Sequence, residues 1–129
     1  MVTNALLTLP TEAREAGWRL WDALRVLPDL PIVAFFWAEF DESDWRLFLA
    51  TPLVATVGQR SVYGVLQTVL GQIPEDELHG LSLFDIVVAN PEERMVRAMQ
   101  CRYGHTEGDR RTVRRLSLSS EDAYVYYVA

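Results

Sequence analysis

Pro31–Pro52, PIVAFFWAEFDESDWRLFLATP, decides the fold. Two apolar runs flank the polar residues Asp41, Glu42, Ser43 and Asp44, the pattern of two strands joined by a short loop. With Asp41–Asp44 as the loop, Phe40 faces Trp45, Ala38 faces Leu47 and Phe36 faces Leu49 on one side of the hairpin. On the other side Glu39 faces Arg46, Trp37 faces Phe48 and Phe35 faces Ala50. A charge pair beside the turn, and large rings set against smaller partners, favour this register. A slip of one residue would mix the two faces. Both faces are apolar away from the turn, so both need a cover.

Elements on either side supply candidates for that cover. Thr11 is placed to cap a helix beginning at Glu12, with Ala13, Gly17, Leu20, Leu24 and Leu27 on one stripe and Pro28 and Pro31 ending it. A second helix runs from about Gly58 to Leu70 and is broken by Gly71 and Pro74. PEDELHG reads as one helical turn, and LFDIVVA, Leu83 to Ala89, as a buried β-branched strand. Asn90, Pro91 and Glu93 stand at N-cap, N1 and N3 of a third helix, which carries Met95, Val96, Met99 and Tyr103 inward and stops near Gly104. RTVRRLSLSS and DAYVYYVA close the chain as two strands. The order α-β-β-α-β-α-β-β gives an α+β fold: one domain over residues 1–129, with a mixed sheet of about five strands and helices packed on it. The first helix is expected on one face and the later two on the other.

The chain has 129 residues, enough to bury a core without disulfide or metal. Its single Cys101 excludes an internal disulfide and any multi-cysteine zinc site. The start, MVTNALLTLPTEAREAG, lacks a basic region and breaks at Pro10, so it does not read as a signal peptide. No apolar run reaches the length of a membrane span, and the expected location is the cytoplasm.

Net charge is −6 and unevenly spread. Arg94–Arg115 holds seven arginines, Arg94, Arg97, Arg102, Arg110, Arg111, Arg114 and Arg115, against Glu107 and Asp109, a local +5. The remainder carries −11. Guanidinium groups grip phosphates by paired hydrogen bonds, so this arm is the candidate polyanion or nucleic-acid site. Its plain alternative is a solvated face, with Glu93 and Arg97 paired one turn apart. The acidic hairpin tip, Asp41, Glu42 and Asp44, lacks the length and glycine of a calcium loop. Cys101 and His105 have ligand-like spacing but do not close a tetrahedral site, and His79 is the one other imidazole. Asp85 interrupts an apolar strand, as an acid–base residue would, or as an arginine partner would. No glycine-rich phosphate loop or nucleophile elbow is present, so no catalytic residue, metal or cofactor is assigned.

FFWAEFDESDWRLFLATPLV, the VYGVL helix and the closing EDAYVYY resemble small bacterial proteins that share an aromatic hairpin and a similar terminal strand. The resemblance implies a bacterial origin and a shared fold, and it transfers no functional residue. The leading expectation is therefore a non-enzymatic interaction module. It would bind a second copy or a protein partner through aromatic residues of the hairpin and terminal strand, Phe35, Trp37, Phe48, Tyr124 and Tyr126. The alternatives are polyanion binding through the arginine arm and an enzyme built around Asp85.

Overall fold

The aromatic hairpin lies in the middle of a mixed sheet, and the chain itself covers both of its faces. The computed structural model describes residues 9–41, 44–103, 106–107, 114–115 and 122–129. Helix α1 spans Thr11–Leu24, strands β1 and β2 span Ala34–Asp41 and Asp44–Ala50, and helices α2, α3 and α4 span Leu53–Val57, Gln59–Gly71 and Glu75–Leu78. A 3-10 turn, Leu83–Asp85, leads into β3, Ile86–Ala89. Then follow α5 (Arg94–Tyr103), β4 (Thr106–Glu107), β5 (Arg114–Arg115) and β6 (Asp122–Val128). The strands lie in the order β3-β2-β1-β6-β4, with β5 pairing the other half of β6's outer edge. The β2–β3 pair is parallel and the rest are antiparallel.

The α+β class and the element order agree with the sequence reading. Four strands of four or more residues carry the sheet, with the two-residue β4 and β5 added on β6; of the expected fifth strand, RTVRRLSLSS, only Arg114–Arg115 is described as strand. Several boundaries also move. Pro10, not Thr11, precedes the first helical residue of α1, without a side-chain cap. Leu83–Asp85 belongs to the 3-10 turn rather than to the strand. The short helix α2 had no sequence signal beyond Pro52 at its start. Before α5, Asn90 Oδ1 accepts from Glu92 N–H at 2.9 Å and the Glu93 carboxylate accepts from Asn90 N–H at 3.0 Å, so the cap read from NPEE is built one turn ahead of the helix.

The hairpin register differs from the expected one by one residue. Ala34 pairs with Ala50, Phe35 with Leu49, Phe36 with Phe48, Trp37 with Leu47, Ala38 with Arg46 and Glu39 with Trp45. Asp41 faces Asp44 at the tip as expected, and the irregularity between Glu39 and Asp41 absorbs Phe40. That extra residue inverts the alternation of β1 relative to β2. Phe35 and Trp37 therefore share a face with Leu47 and Leu49, whereas Phe36 shares the other with Phe48. Arg46 stands opposite Ala38, not Glu39.

The helices divide differently as well. Leu20 and Leu24 of α1, Val62, Leu66 and Val69 of α3, and Leu78 of α4 all pack on the Phe35–Trp37 face. Joining the parallel strands β2 and β3 requires a crossover, and α2–α4 provide it. The opposite face is narrow and rich in small residues, Ala34, Ala38, Ala50, Ala89 and Ala123, and Val96 and Met99 of α5 close it.

A second irregularity, in β6, builds the densest part of the core. Phe35 pairs with Tyr127 and Phe36 with Val125, which leaves Tyr126 as the extra residue of a bulge. Tyr126 and Tyr127 both join the α1 face in consequence. The Tyr126 hydroxyl accepts from Trp37 Nε1 at 3.0 Å and donates to the Arg14 carbonyl at 2.8 Å, tying β6 to β1 and to α1. Trp18 donates to the Tyr124 hydroxyl at 2.8 Å and meets the Tyr126 ring edge-on at 4.6 Å. Trp21 stacks on both Phe35 and Tyr127. Burial pushes the Tyr126 phenol far above the ordinary tyrosine range, so its hydroxyl stays neutral and structural.

Candidate functional site

The five aromatic residues expected to form an interaction surface lie inside the molecule. Phe35 and Tyr126 are fully enclosed, and Trp37, Phe48 and Tyr124 are 4–5% exposed. Helices cover both faces on which these rings stand, and β6 is flanked on both sides rather than forming an edge. Among the described residues one aromatic ring stands fully out in solvent instead. Phe84 is 88% exposed, more than any other large apolar residue described.

The sequence around Phe84 explains how the ring is held out. His79 and Gly80 both adopt left-handed backbone after α4, with φ of 49° and 85°, and fold the chain back so that Leu81 N–H reaches Leu78 carbonyl. Glycine takes that conformation without strain; a histidine there costs of order 1 kcal/mol. The next residues, Ser82 to Asp85, close a reciprocal cap. Phe84 N–H donates to Ser82 Oγ at 3.3 Å, and the Asp85 carboxylate accepts from Ser82 N–H at 3.0 Å. Arg46 Nη1 donates to the Phe84 carbonyl from β2. The backbone of Phe84 is thus fixed at its N–H and its carbonyl while its ring stands in solvent.

A recess of about 260 Å³ opens beside this turn. Pro10 before α1, Ala13 within it, Trp37 and Trp45 of the hairpin, and Leu78 and Leu81 form its apolar wall; His79 and Asp85 supply the polar rim. The volume falls just short of typical small-molecule pockets, roughly 300–1,000 Å³. His79 also borders a second groove, shared with Glu15, Trp18, Arg19 and Glu77. Its imidazole is partly buried between two glutamates of α1, Nδ1 4.0 Å from Glu12 and Nε2 3.8 Å from Glu15. The outer wall of that groove is the Arg19–Glu77 ion pair, Nε to Oε1 2.5 Å.

The other sequence candidates separate. Asp85 reaches the rim of the recess that His79 also lines, but its carboxylate is engaged in capping the Phe84 turn, which accounts for a carboxylate at the mouth of an apolar strand. Cys101 is exposed on α5 rather than packed in the core, and His105 lies outside the described residues. Among the described residues no three His, Cys, Asp or Glu side chains come together as metal ligands. Arg94 and Arg97 are exposed on α5. Arg97 pairs with Glu92 rather than with Glu93, whose carboxylate is occupied at Asn90. Arg114 and Arg115 lie in β5, their backbones opposite Ala123 and Asp122. The side chains of Arg102, Arg114 and Arg115, and all of Arg110 and Arg111, lie outside the described residues, as do the side chains of Asp41, Glu42 and Asp44. The sequence reading passed over Phe84 as one more core residue in an apolar run. The signal available was Ser82 three positions before Asp85, a capping-box spacing that removes Phe84 from the strand.

No protein family, curated protein or solved structure matches this chain. Among the described residues no helix is long and apolar enough to cross a membrane.

Proposed function

We propose that this protein is a non-catalytic interaction module that docks a protein partner on the Phe84 turn and the recess beside it. The supporting observation is Phe84 itself, a ring 88% exposed on a turn fixed by the Ser82–Asp85 cap and by Arg46. Leaving a phenylalanine in water forgoes roughly 1.5–3 kcal/mol of burial energy, which a partner recovers. With its backbone already fixed, Phe84 has only its side-chain torsions to order on binding, a property of an interface anchor.

The chemistry of the partner follows from the rim. The recess accepts one large apolar side chain against Trp45, Leu78 and Leu81. Glu12 and Glu15 flank His79 at its rim with most of their side chains in solvent. Outside Arg94–Arg115 the chain carries −11. An apolar side chain flanked by basic residues complements both features. An exposed thiol at Cys101, the chain's single cysteine, suits a reducing compartment, and we place the module in the cytoplasm.

The experiment is a photo-crosslinking phenylalanine analogue at position 84, expressed in the producing cell, followed by titration of the purified adduct partner. The expected result is one dominant adduct with a protein other than this chain, whose affinity falls at least tenfold with Phe84→Ser. Either of two results removes the reading: no adduct at position 84, or a partner that binds Phe84→Ser as tightly as the native chain. An adduct with a second copy would replace the partner by self-association.

A further inference from the structure

Strand β3 is the outermost strand beyond β2, and its sequence, Ile-Val-Val-Ala, is the kind that recruits another strand. It is β-branched and apolar, and it contains no charge and no proline, the usual devices that guard an edge. Residues 86, 88 and 90 turn their backbone groups away from β2, since Ala89 carbonyl faces inward to Thr51 N–H. None of the outward groups from Ile86 N–H to Asn90 N–H is left open. Ile86 N–H donates to Leu83 carbonyl. The Tyr63 hydroxyl donates to Ile86 carbonyl at 3.0 Å and accepts from Val88 N–H at 3.1 Å. Gln59 Nε2 donates to Val88 carbonyl at 2.8 Å, and Asn90 N–H donates to Glu93.

The pattern is that of a ladder. In a parallel pair, one residue of the neighbour donates its N–H to the carbonyl of residue i−1 and accepts from the N–H of residue i+1. One hydroxyl of Tyr63 performs both acts across Val87, and the Gln59 amide supplies the next donor along. Tyr63 and Gln59 are four residues apart on α3, so one helical face delivers both.

We infer that α3 serves as a surrogate strand: Tyr63 and Gln59 hold the β3 edge shut against strand addition by a second copy of this chain, and withdrawing them opens it. The occupant is a second copy because the edge is apolar, uncharged and self-complementary, and a two-fold axis pairs β3 with β3 antiparallel. This contact is separate from the Phe84 surface, so either reading stands if the other fails.

The test compares the native chain with Tyr63→Phe, Gln59→Ala and the double variant, by amide hydrogen exchange and by sedimentation from micromolar to millimolar concentration. Tyr63→Phe should speed Val88 N–H exchange about fivefold, while Val87 and Ala89, whose N–H groups face β2, keep their rates. The folded double variant should gain a concentration-dependent dimer that the native chain lacks. Adding Val87→Lys to the double variant, a charge on the opened edge, should abolish that dimer. Gln59→Ala leaves the Tyr63 hydroxyl on Val88 N–H and frees the Val88 carbonyl, so it gives the sedimentation test at lower amplitude should the tyrosine variants lose the fold. Unchanged Val88 exchange in folded Tyr63→Phe, or a folded double variant whose mass matches the native chain at every concentration, overturns the inference.

Discussion

Gly17→Ala tests the packing of α1 on β6 with one methyl group. A Cβ at position 17 would fall 1.9 Å from the Tyr126 hydroxyl oxygen and 2.4 Å from the ring carbon that bears it. Tyr126 has no room to yield, because its hydroxyl is held by Trp37 Nε1 and the Arg14 carbonyl and its ring is fully buried. Overpacking a core in this way costs about 1–3 kcal/mol. Displacing the hydroxyl sacrifices up to two hydrogen bonds at about 1 kcal/mol each. Alanine returns about 1 kcal/mol as the better helix former. The net expectation is destabilisation of about 2–3 kcal/mol, a fall in Tm of roughly 10 °C for a domain of this size. Gly64→Ala is the control, since nothing lies within 4 Å of its added carbon; it should be neutral or stabilise by up to about 1 kcal/mol. Urea unfolding of the two variants measures the difference directly. If Gly17→Ala proves as stable as Gly64→Ala, the close approach of α1 to Tyr126 is not a feature of the folded protein.

Other consequences follow from the same contacts. Tyr126→Phe leaves the buried Trp37 N–H without its acceptor and should cost about 1–2 kcal/mol in urea unfolding. Combined with Gly17→Ala it should rescue only part of the loss, because the 2.4 Å clash with the ring carbon remains. The pH dependence has a definite sign. The folded phenol of Tyr126 lies well above the unfolded value of 10.0, so above pH 10 the unfolded chain binds fewer protons than the native one. The stability associated with the neutral phenol is complete below pH 10 and falls by up to about 1.4 kcal/mol per pH unit above it. Ultraviolet titration should find at least one tyrosine that ionises only as the protein unfolds. Ser82→Ala removes the hydroxyl that accepts from Phe84 N–H and should loosen the turn, with loss of about 1 kcal/mol and faster exchange of the Phe84 amide. Labelled DNA and RNA at low salt should show no micromolar anisotropy change; salt-sensitive binding lost in Arg94→Glu/Arg97→Glu would restore the arginine arm as a site.

Much of the architecture was legible because it rests on periodicity and punctuation. The α3 stripe, the short β-branched strand and the NPEE cap each carry a local signal, and each appears within a few residues of where that signal placed it. The candidate site was not legible, and the reason is physical. Phe35, Trp37, Tyr124 and Tyr126 looked like an excess of aromatic surface because the sequence does not say how many helices stack on one side of the sheet. With α1, α3 and α4 together on that side, there is enough cover to bury them all. Phe84 looked like core because it sits in an apolar run, and the Ser82–Asp85 spacing was the one local sign that it leaves the strand. Tyr63 and Gln59 have no sequence signature at all, since a residue that mimics a strand on a neighbouring edge is defined by a tertiary contact.

Two single residues, Phe40 and Tyr126, govern which side chains meet. Strand pairing is restored on the far side of each irregularity, so a bulge costs little locally, yet it reverses the facing of everything beyond it. In β1 that reversal joins Phe35 and Trp37 to Leu47 and Leu49. In β6 it sets Tyr126 beside Tyr127 on one face, where the first meets Trp37 and the second stacks on Trp21. The two bulges serve one cluster: Trp37 pairs with Tyr124 and so shares a face with Tyr126, while the β1 bulge brings Leu47 and Leu49 to that face and the β6 bulge brings Tyr127. Alternation within either strand carries no information about this agreement. It arises from the single buried cluster that satisfies the indole N–H of Trp37, the phenol of Tyr126 and the close approach at Gly17 at once. The register of the hairpin is therefore set by the helix that covers it as much as by the pairing of its own strands.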